Sequence, residues 1–190
     1  MAHPRVYIAL VHYPVLDKAG NVVATAVTNL DVHDFSRLAR SYDLGGFLLV
    51  TPIAAQRELV EHLLGHWRTG PGKERVPERA EALHLCTVVS SVAQAQAHVL
   101  KECNAPARII ATAARVRQPS KQRSFEDERQ QIRQGLQPTL ILYGTGHGLA
   151  DSMFELADVV LAPIRAENDY NHLSVRTAAA ISLDRLFGES

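Results

Sequence analysis

The sequence predicts an α/β fold in which a mostly parallel β-sheet carries helices on both faces. Short apolar runs rich in β-branched residues alternate with stretches of helical period, and this alternation repeats along most of the chain. Such alternation is typical of βαβ units, whose connecting helices cover a parallel sheet. Glycine and polar residues follow the two late apolar runs, as expected where a ligand approaches the carboxyl ends of parallel strands.

The apolar runs and helical patterns give the order of the elements. Strands are predicted over residues 6–13, 47–50, 85–89, 108–114, 139–143 and 159–163, and residues 22–27 form either a strand or a tight loop. Helices are predicted over residues 32–42, 53–67, 92–103, 125–134 and 175–187. Residues 69–78 contain two glycines and two prolines and are predicted to form a loop.

The first and last helices have recognisable starts. Asp31 suits the N-cap of the first helix, and either Asn171 or Ser174 suits the N-cap of the last. Apolar residues recur at helical spacing in the first helix at Phe35, Leu38, Ala39 and Tyr42. The small residues Ala178 to Ala180 of the last helix permit close packing against a loop or a second subunit. The last helix has a similar apolar stripe: Val175, Ala179, Leu183 and Leu186.

Composition indicates one globular domain spanning residues 1–190, with 46% apolar residues. No apolar run approaches the roughly 20 residues that a membrane-spanning helix needs, and the N-terminal run resembles a strand rather than a signal peptide. The two cysteines, Cys86 and Cys103, suit reduced thiols, so a cytoplasmic protein is expected. Because 20 basic residues balance 20 acidic ones, any nucleic-acid surface must be a local patch.

Two loops near the C-terminus have the composition of a ligand site. The first, Gly144-Thr145-Gly146-His147-Gly148, follows a strand, and the second runs from Pro163 through Arg165 towards Ser174. Glycine permits positive φ angles and close backbone approach to a ligand. The spacing is neither a dinucleotide-binding fingerprint nor a P-loop, and an ordinary glycine-rich turn remains an alternative.

The remaining polar residues are less specific. Four histidines invite a metal interpretation, but none is paired at helical ligand spacing, so no metal site is predicted: His12, His33, His147 and His172. Residues 115–123 carry four cations, which either bind substrate phosphates or form a solvated loop: Arg115, Arg117, Lys121 and Arg123. Arg37 lies beside the apolar stripe of the first helix, where it either contacts a ligand or covers the edge of the core.

Three segments in order resemble the motifs of the SPOUT methyltransferase superfamily. The first spans residues 29–50, with Asn29 and Arg37 ahead of Gly46 and an apolar strand. The second is Leu140 to Leu149, followed by Pro163-Ile164, and the third is Leu173 to Ile181. The chain is most similar to a stand-alone bacterial branch of S-adenosylmethionine-dependent RNA methyltransferases that shares the run from Asp169 to Arg176.

The resemblance implies a deep trefoil knot within residues 139–188, bound S-adenosylmethionine, an RNA substrate, and a homodimer formed through the last helix. It places the cofactor on three loops, at residues 143–149, 161–165 and 172–177. The implied cofactor-binding residues are Thr112, Tyr143, Gly144, Thr145, Gly146, Gly148, Leu149, Leu161, Pro163, Ile164, Leu173, Ser174 and Val175. The implied substrate-binding residues are Asn29, Arg115, Arg117, Lys121, Arg123 and Arg165.

The sequence departs from the superfamily's motifs, so the resemblance does not identify the RNA atom that accepts the methyl group. The glycine-rich loop lacks the Glu of the ribose-methylating branch, and the third motif has Ser174 and Arg176 where that branch has Asn and Ser. A base nitrogen calls for a general base, for which Asp169 and His172 are candidates. A ribose 2′-hydroxyl would depend on Arg37. A non-catalytic module that binds S-adenosylmethionine or a partner, and a Rossmann-like nucleotide enzyme, are the alternative hypotheses.

Overall fold

A seven-stranded parallel sheet forms the centre of the protein, in a computed structural model that describes residues 3–135, 137–165 and 170–189. Its strands are β1 (His3–Val11), β4 (Leu44–Val50), β5 (Cys86–Val89), β6 (Arg108–Ala111), β7 (Gln122–Arg123), β8 (Thr139–Gly144) and β9 (Val159–Leu161). They are ordered β5-β4-β1-β8-β6-β9-β7. A separate antiparallel hairpin contains β2 (Val15–Leu16) and β3 (Val22–Val23). The predicted mostly parallel sheet is therefore confirmed.

Helices cover both faces of the sheet, as predicted. They are α1 (Asn29–Ser41), α2 (Ala54–Arg68), α3 (Pro71–Arg75), α4 (Pro77–His84), α5 (Val92–Cys103), α6 (Phe125–Arg133), α7 (Asp151–Leu156) and α8 (Val175–Phe187). Apolar residues of α1, α2, α4, α6 and α8 pack on one face, and those of α5 and α7 pack on the other. Ile8 in β1 and Ile141 in β8 are fully buried, so the central strands are apolar on both faces.

The start of α1 differs from its prediction, because Thr28 and not Asp31 is the N-cap. The Thr28 hydroxyl accepts a hydrogen bond from the Asp31 N–H at 3.2 Å, and the Thr28 N–H donates to Asp31 Oδ2 at 3.2 Å. This reciprocal arrangement is a capping box, in which the acidic residue stands three positions after the cap. Asp31 is thus turned inward, and its side chain is buried.

Residues 69–78 were predicted as a loop, and this prediction is wrong. They contain α3 and the beginning of α4, with Pro71 and Pro77 in the first turns of these helices. In the first turn of a helix the main-chain N–H groups have no hydrogen-bond partner within the helix. Proline, which lacks an N–H, therefore loses nothing there and can begin a helix. Residues 22–27 include only the two-residue strand β3. By contrast, α5 and α8 have the predicted bounds.

Candidate functional site

A cavity of about 730 Å³ lies at the carboxyl ends of β6, β8 and β9. Three stretches that are far apart in sequence converge on it. They are residues 112–117 after β6, residues 143–149 at the end of β8, and the segments flanking residues 166–169 after β9. Polar loops at this edge of a parallel sheet commonly form a small-molecule site.

Most of the predicted cofactor-binding residues line this one cavity. They are Thr112, Tyr143, Gly144, Thr145, Gly146, Gly148, Leu149, Leu161, Ile164, Leu173, Ser174 and Val175. Pro163 is not among the lining residues. The structure therefore brings together the three loops that the sequence motifs single out. Ser174 is also the N-cap of α8, because its side chain accepts a hydrogen bond from the Thr177 N–H at 3.2 Å.

The glycine-rich loop packs so tightly against neighbouring residues that two of its glycines have no room for a side chain. A Cβ atom at Gly144 would lie 2.5 Å from the main-chain nitrogen of Leu149, which no real Cβ contact allows. Gly146 has a φ of +59°, and a Cβ there would lie 2.9 Å from the carbonyl oxygen of Leu16. Gly144 and Gly146 thus let the loop pack closely against neighbouring main chain, and we call residues 144–148 the cradle.

The β2–β3 hairpin forms a further wall of the cavity that the sequence motifs do not indicate. Leu16 donates its N–H to the Gly148 carbonyl at 2.9 Å and accepts the His147 N–H at 2.9 Å, so the hairpin is bonded to the glycine-rich loop. Cavity-lining residues missed from the sequence include Leu16, Asp17, Lys18, Gly20, Thr25, Ala26 and Asp31. Strands of two residues are too short to show a periodic pattern. The contacts also join segments that are distant in sequence, so the hairpin's place in the cavity wall could not be predicted from local sequence.

Asp31 is a buried carboxylate in the cavity wall that links α1 to the start of α8. Its Oδ1 accepts a hydrogen bond from Arg176 Nη1 at 3.1 Å, and the same guanidinium reaches Asp34 Oδ2 at 3.2 Å. The Thr28 hydroxyl donates to Asp31 Oδ2 at 2.7 Å. Arg176 follows directly on the cavity-lining Ser174 and Val175, so this ion pair fixes the third loop against α1.

The three predicted catalytic residues are placed differently. His172 lines the cavity, and its ring lies 5.3 Å from that of Tyr170. Arg37 is exposed on α1 and lies outside the lining, beside Arg40 and Glu78. Asp169 lies outside the described residues. Within the described part of one chain, only His172 among the three reaches the cavity.

Of the predicted substrate-binding residues, Arg115 and Arg117 line the cavity. Arg117 also lies 3.3 Å from Asp151 and packs over the Phe154 ring. The other predicted residues of this group are not among the lining residues: Asn29, Lys121, Arg123 and Arg165. The Lys121 ammonium donates to the main-chain carbonyls of Phe154, Glu155 and Ala157, so it caps the end of α7.

A buried histidine lies beneath the glycine-rich loop. His12 follows β1, has no exposed surface, and its Nδ1 lies 3.0 Å from Thr25 Oγ1. Burial lowers the pKa of His12 to about 4, although the nearby Asp31 carboxylate acts in the opposite direction. His12 is therefore neutral at pH 7.

The lowered pKa of His12 predicts that the protein loses stability in mild acid. Between pH 6.5 and about pH 4 the unfolded chain binds a proton at His12 that the folded protein excludes, so the free energy of unfolding falls as pH falls. From His12 alone, the expected loss between pH 7.5 and pH 5 is about 2 kcal/mol. Urea unfolding at both pH values measures it, and the His12→Asn variant should show a smaller decrease. An equal decrease in the variant would contradict the prediction.

In the described ranges 3–135, 137–165 and 170–189, no helix is long and apolar enough to span a bilayer. The same residues contain no group of three or more His, Cys, Asp or Glu side chains placed to hold a metal ion.

The fold and the cavity together define an α/β protein with a candidate small-molecule site at the carboxyl edge of a parallel sheet. The same fold is found in AviRb, a SpoU methyltransferase from Streptomyces viridochromogenes, in a structure with S-adenosylmethionine. The two match with a TM-score of 0.60 and 14% identity over 95% of this chain and 56% of AviRb. The chain belongs to the SAM-dependent RNA methyltransferase family, whose model matches residues 5–188.

Two relatives are similar in sequence along the whole chain. A protein of Aquifex aeolicus without an assigned function is 35% identical, and the match covers 100% of this chain and 92% of that protein. A tRNA (guanine-N(1)-)-methyltransferase of Oleidesulfovibrio alaskensis is 44% identical over 98% of this chain. The chain spans only 43% of the length of the second relative.

Proposed function

We propose that the cavity described above is the S-adenosylmethionine site, and that an RNA nucleotide enters it for methylation. One observation carries the proposal. Residues from the three loops that the motifs single out separately, 143–149, 161–165 and 172–177, line a single cavity in the folded chain. Its volume of about 730 Å³ lies within the range of small-molecule sites.

The residues present fit this cofactor. The Gly144–Gly148 cradle gives a flat ligand access to main-chain groups, which suits an adenine ring. Leu149, Leu161 and Leu173 contribute apolar lining to the same cavity. A Cβ at Gly144 would clash with Leu149, and one at Gly146 would clash with Leu16, so either substitution would displace the loop. We propose that these main-chain and apolar groups bind the cofactor.

S-adenosylmethionine supplies an electrophilic methyl group on a sulfonium sulfur. The protein must align an acceptor lone pair with that methyl group and accept the proton that the acceptor releases. His172 lies in the cavity wall and is our candidate for the general base that accepts this proton. Asp169 remains a second candidate, and it lies outside the described residues.

We propose a base nitrogen as the acceptor. The ribose alternative depends on Arg37, which within one chain lies outside the cavity lining, whereas His172 lies within it. Guanine N1 is the first atom to test, because two relatives are named tRNA (guanine-N(1)-)-methyltransferases, although the chain spans only 43% and 42% of their lengths.

The test is incubation of total tRNA and rRNA with labelled S-adenosylmethionine, followed by digestion to nucleosides. The proposal predicts label on a base and no label in alkali-resistant dinucleotides. A labelled, alkali-resistant dinucleotide would show ribose methylation instead. Tight cofactor binding without label in any RNA would favour the alternative, a non-catalytic binding module on the same fold.

Arg115 and Arg117 are expected to contact RNA phosphates at the cavity mouth. Replacing both with glutamine should raise the KM for RNA several-fold and leave the Kd for S-adenosylhomocysteine unchanged. The dependence of log K on log salt should become shallower by about 1.4, or 0.7 for each lost phosphate contact with a single strand. Lys101→Gln, which removes an exposed cation from α5, is the control. Equal effects of the control and the double variant would contradict this role.

We also propose that the segment after β8 forms the trefoil knot and that the protein is a homodimer. The strand order β1-β8-β6-β9 supports the knot, because β8 is inserted between strands that precede it in sequence. The stripe of α8 is buried within the chain at Ala179, Leu183 and Leu186, so a dimer would use the opposite face of this helix. Light scattering at micromolar concentration tests the dimer, which predicts twice the chain mass of 20.9 kDa.

A further inference from the structure

We propose that His12 is a positioning residue of the glycine-rich loop, which it holds through Thr25, and that its imidazole carries its proton on Nδ1. The proposal rests on the cofactor site proposed above and identifies a buried hydrogen-bond chain behind it. His12 is not part of the cavity lining, so it acts through other residues.

The chain of hydrogen bonds connects three segments that are distant in sequence. His12 Nδ1 lies 3.0 Å from Thr25 Oγ1, which lies 2.5 Å from Thr145 Oγ1. Thr145 Oγ1 in turn lies 3.1 Å from the carbonyl oxygen of Val11. The end of β1, the segment before α1 and the glycine-rich loop are thereby joined behind the cavity.

The direction of these bonds follows from the available protons. A carbonyl oxygen only accepts, so the single hydroxyl proton of Thr145 is donated to Val11. Thr145 Oγ1 must then accept from the Thr25 hydroxyl, whose own oxygen accepts from the Nδ1–H of His12. With these directions, each of the three hydrogen bonds has its own proton.

The opposite direction satisfies fewer groups. If Thr145 donated to Thr25 and Thr25 to His12, the contact with Val11 would have no proton. The imidazole proton would then lie on Nε2, which is buried and has no hydrogen-bond partner in the part of the chain that the structure describes. A buried donor without a partner is costly, and buried N–H groups of this kind are rare. Burial also keeps the imidazole neutral at pH 7, with a pKa of about 4, so it carries one N–H.

Thr25 transmits this constraint to the cradle. Its main-chain N–H donates to the His12 carbonyl at 2.9 Å, and its Cγ2 would lie 3.4 Å from a Cβ at Gly146. Thr25 and Thr145 both line the cavity. Without the Nδ1–H of His12, the Thr25 hydroxyl is free to rotate away from Thr145, and the loop loses one of the hydrogen bonds that hold it.

The experiment compares four variants by calorimetry with S-adenosylhomocysteine. His12→Leu removes the donor, and Thr25→Val removes the hydroxyl with little change of shape. His12→Asn restores an N–H donor near the position of Nδ1, and Thr87→Val is a control for the same exchange on β5. We expect His12→Leu and Thr25→Val to weaken binding at least fivefold, and His12→Asn and Thr87→Val to remain within twofold of wild type.

Long-range ¹H–¹⁵N correlation spectra provide a readout that a merely structural role would not change. The signals of His12, assigned by their absence in His12→Asn, should show a protonated Nδ1 and an unprotonated Nε2. An Nε2–H tautomer, or equal affinity of Thr25→Val and wild type, would overturn the proposal. If wild-type protein bound no S-adenosylhomocysteine, the proposed function would fail, whereas the tautomer would still be tested by the spectra.

Discussion

Replacing Gly146 with alanine is expected to weaken S-adenosylhomocysteine binding at least tenfold, which corresponds to about 1.4 kcal/mol. Gly146 has a φ of +59°, and an added Cβ would lie 2.9 Å from the carbonyl oxygen of Leu16. Leu16 is held by main-chain hydrogen bonds to His147 and Gly148, so it cannot move without separating the hairpin from the loop. Calorimetry on purified protein measures the change.

Gly135→Ala is a matched control for this prediction. Gly135 has a φ of +64°, close to that of Gly146, but an added Cβ would have no atom of the described chain within 4 Å. Both variants carry the cost of a positive φ, about 1 kcal/mol of stability. Only Gly146→Ala should lose affinity, and similar affinities for the two variants would show that the cradle does not contact the cofactor.

Replacing Arg108 with alanine is expected to lower the free energy of unfolding by about 3–5 kcal/mol. Arg108 at the start of β6 forms a two-pronged ion pair with Glu128 of α6, whose side chain is 1% exposed. Without the guanidinium, the carboxylate stays buried without its countercharge. Urea unfolding at pH 7 measures the loss.

An exposed ion pair in the same protein provides the comparison. Arg40 bonds Glu81 and Asp43, but the Arg40 and Glu81 side chains are 46% and 58% exposed. Glu81→Ala is expected to cost less than about 1 kcal/mol, because water already screens that pair. If the two substitutions cost the same, burial is not what makes the Arg108–Glu128 pair important.

The parts of the fold that could be predicted are those with a local cause. The stripe of Ala179, Leu183 and Leu186 has helical spacing, and these residues are buried along α8 as expected. The uninterrupted apolar run of β8 likewise predicts a strand buried on both faces. In both cases the periodicity or length of the run reflects the packing directly.

The misassigned elements had two possible physical interpretations. Pro71 and Pro77 suit a loop, but proline also suits the first turn of a helix, and the structure places both prolines there. Asp31 suits an N-cap by residue type, but Thr28 three positions earlier fills that role and leaves Asp31 in the cavity wall. Local pattern cannot choose between such alternatives, because the choice depends on which side chain tertiary packing turns inward.

The glycine-rich part of the candidate site could be predicted from the sequence, whereas the part formed by the hairpin could not. The composition around Gly144, Gly146 and Gly148 indicates either a ligand loop or an ordinary turn, and the resemblance to the superfamily's second motif favours the ligand loop. Lys18 and Thr25 reach the same cavity only because the hairpin is bonded to residues more than a hundred positions away, which no local pattern encodes. Lys121 shows the reverse case, since its charge suggested phosphate binding and the structure uses it to cap α7.

The central claim is that the cavity at the ends of β6, β8 and β9 binds S-adenosylmethionine. Titration calorimetry of wild-type protein with S-adenosylhomocysteine, in the absence and presence of total tRNA, tests it most directly. The account predicts saturable binding at one site per chain that is weakened in Gly146→Ala and retained in Gly135→Ala. Absence of binding both with and without RNA, in protein shown to be folded, would contradict the account.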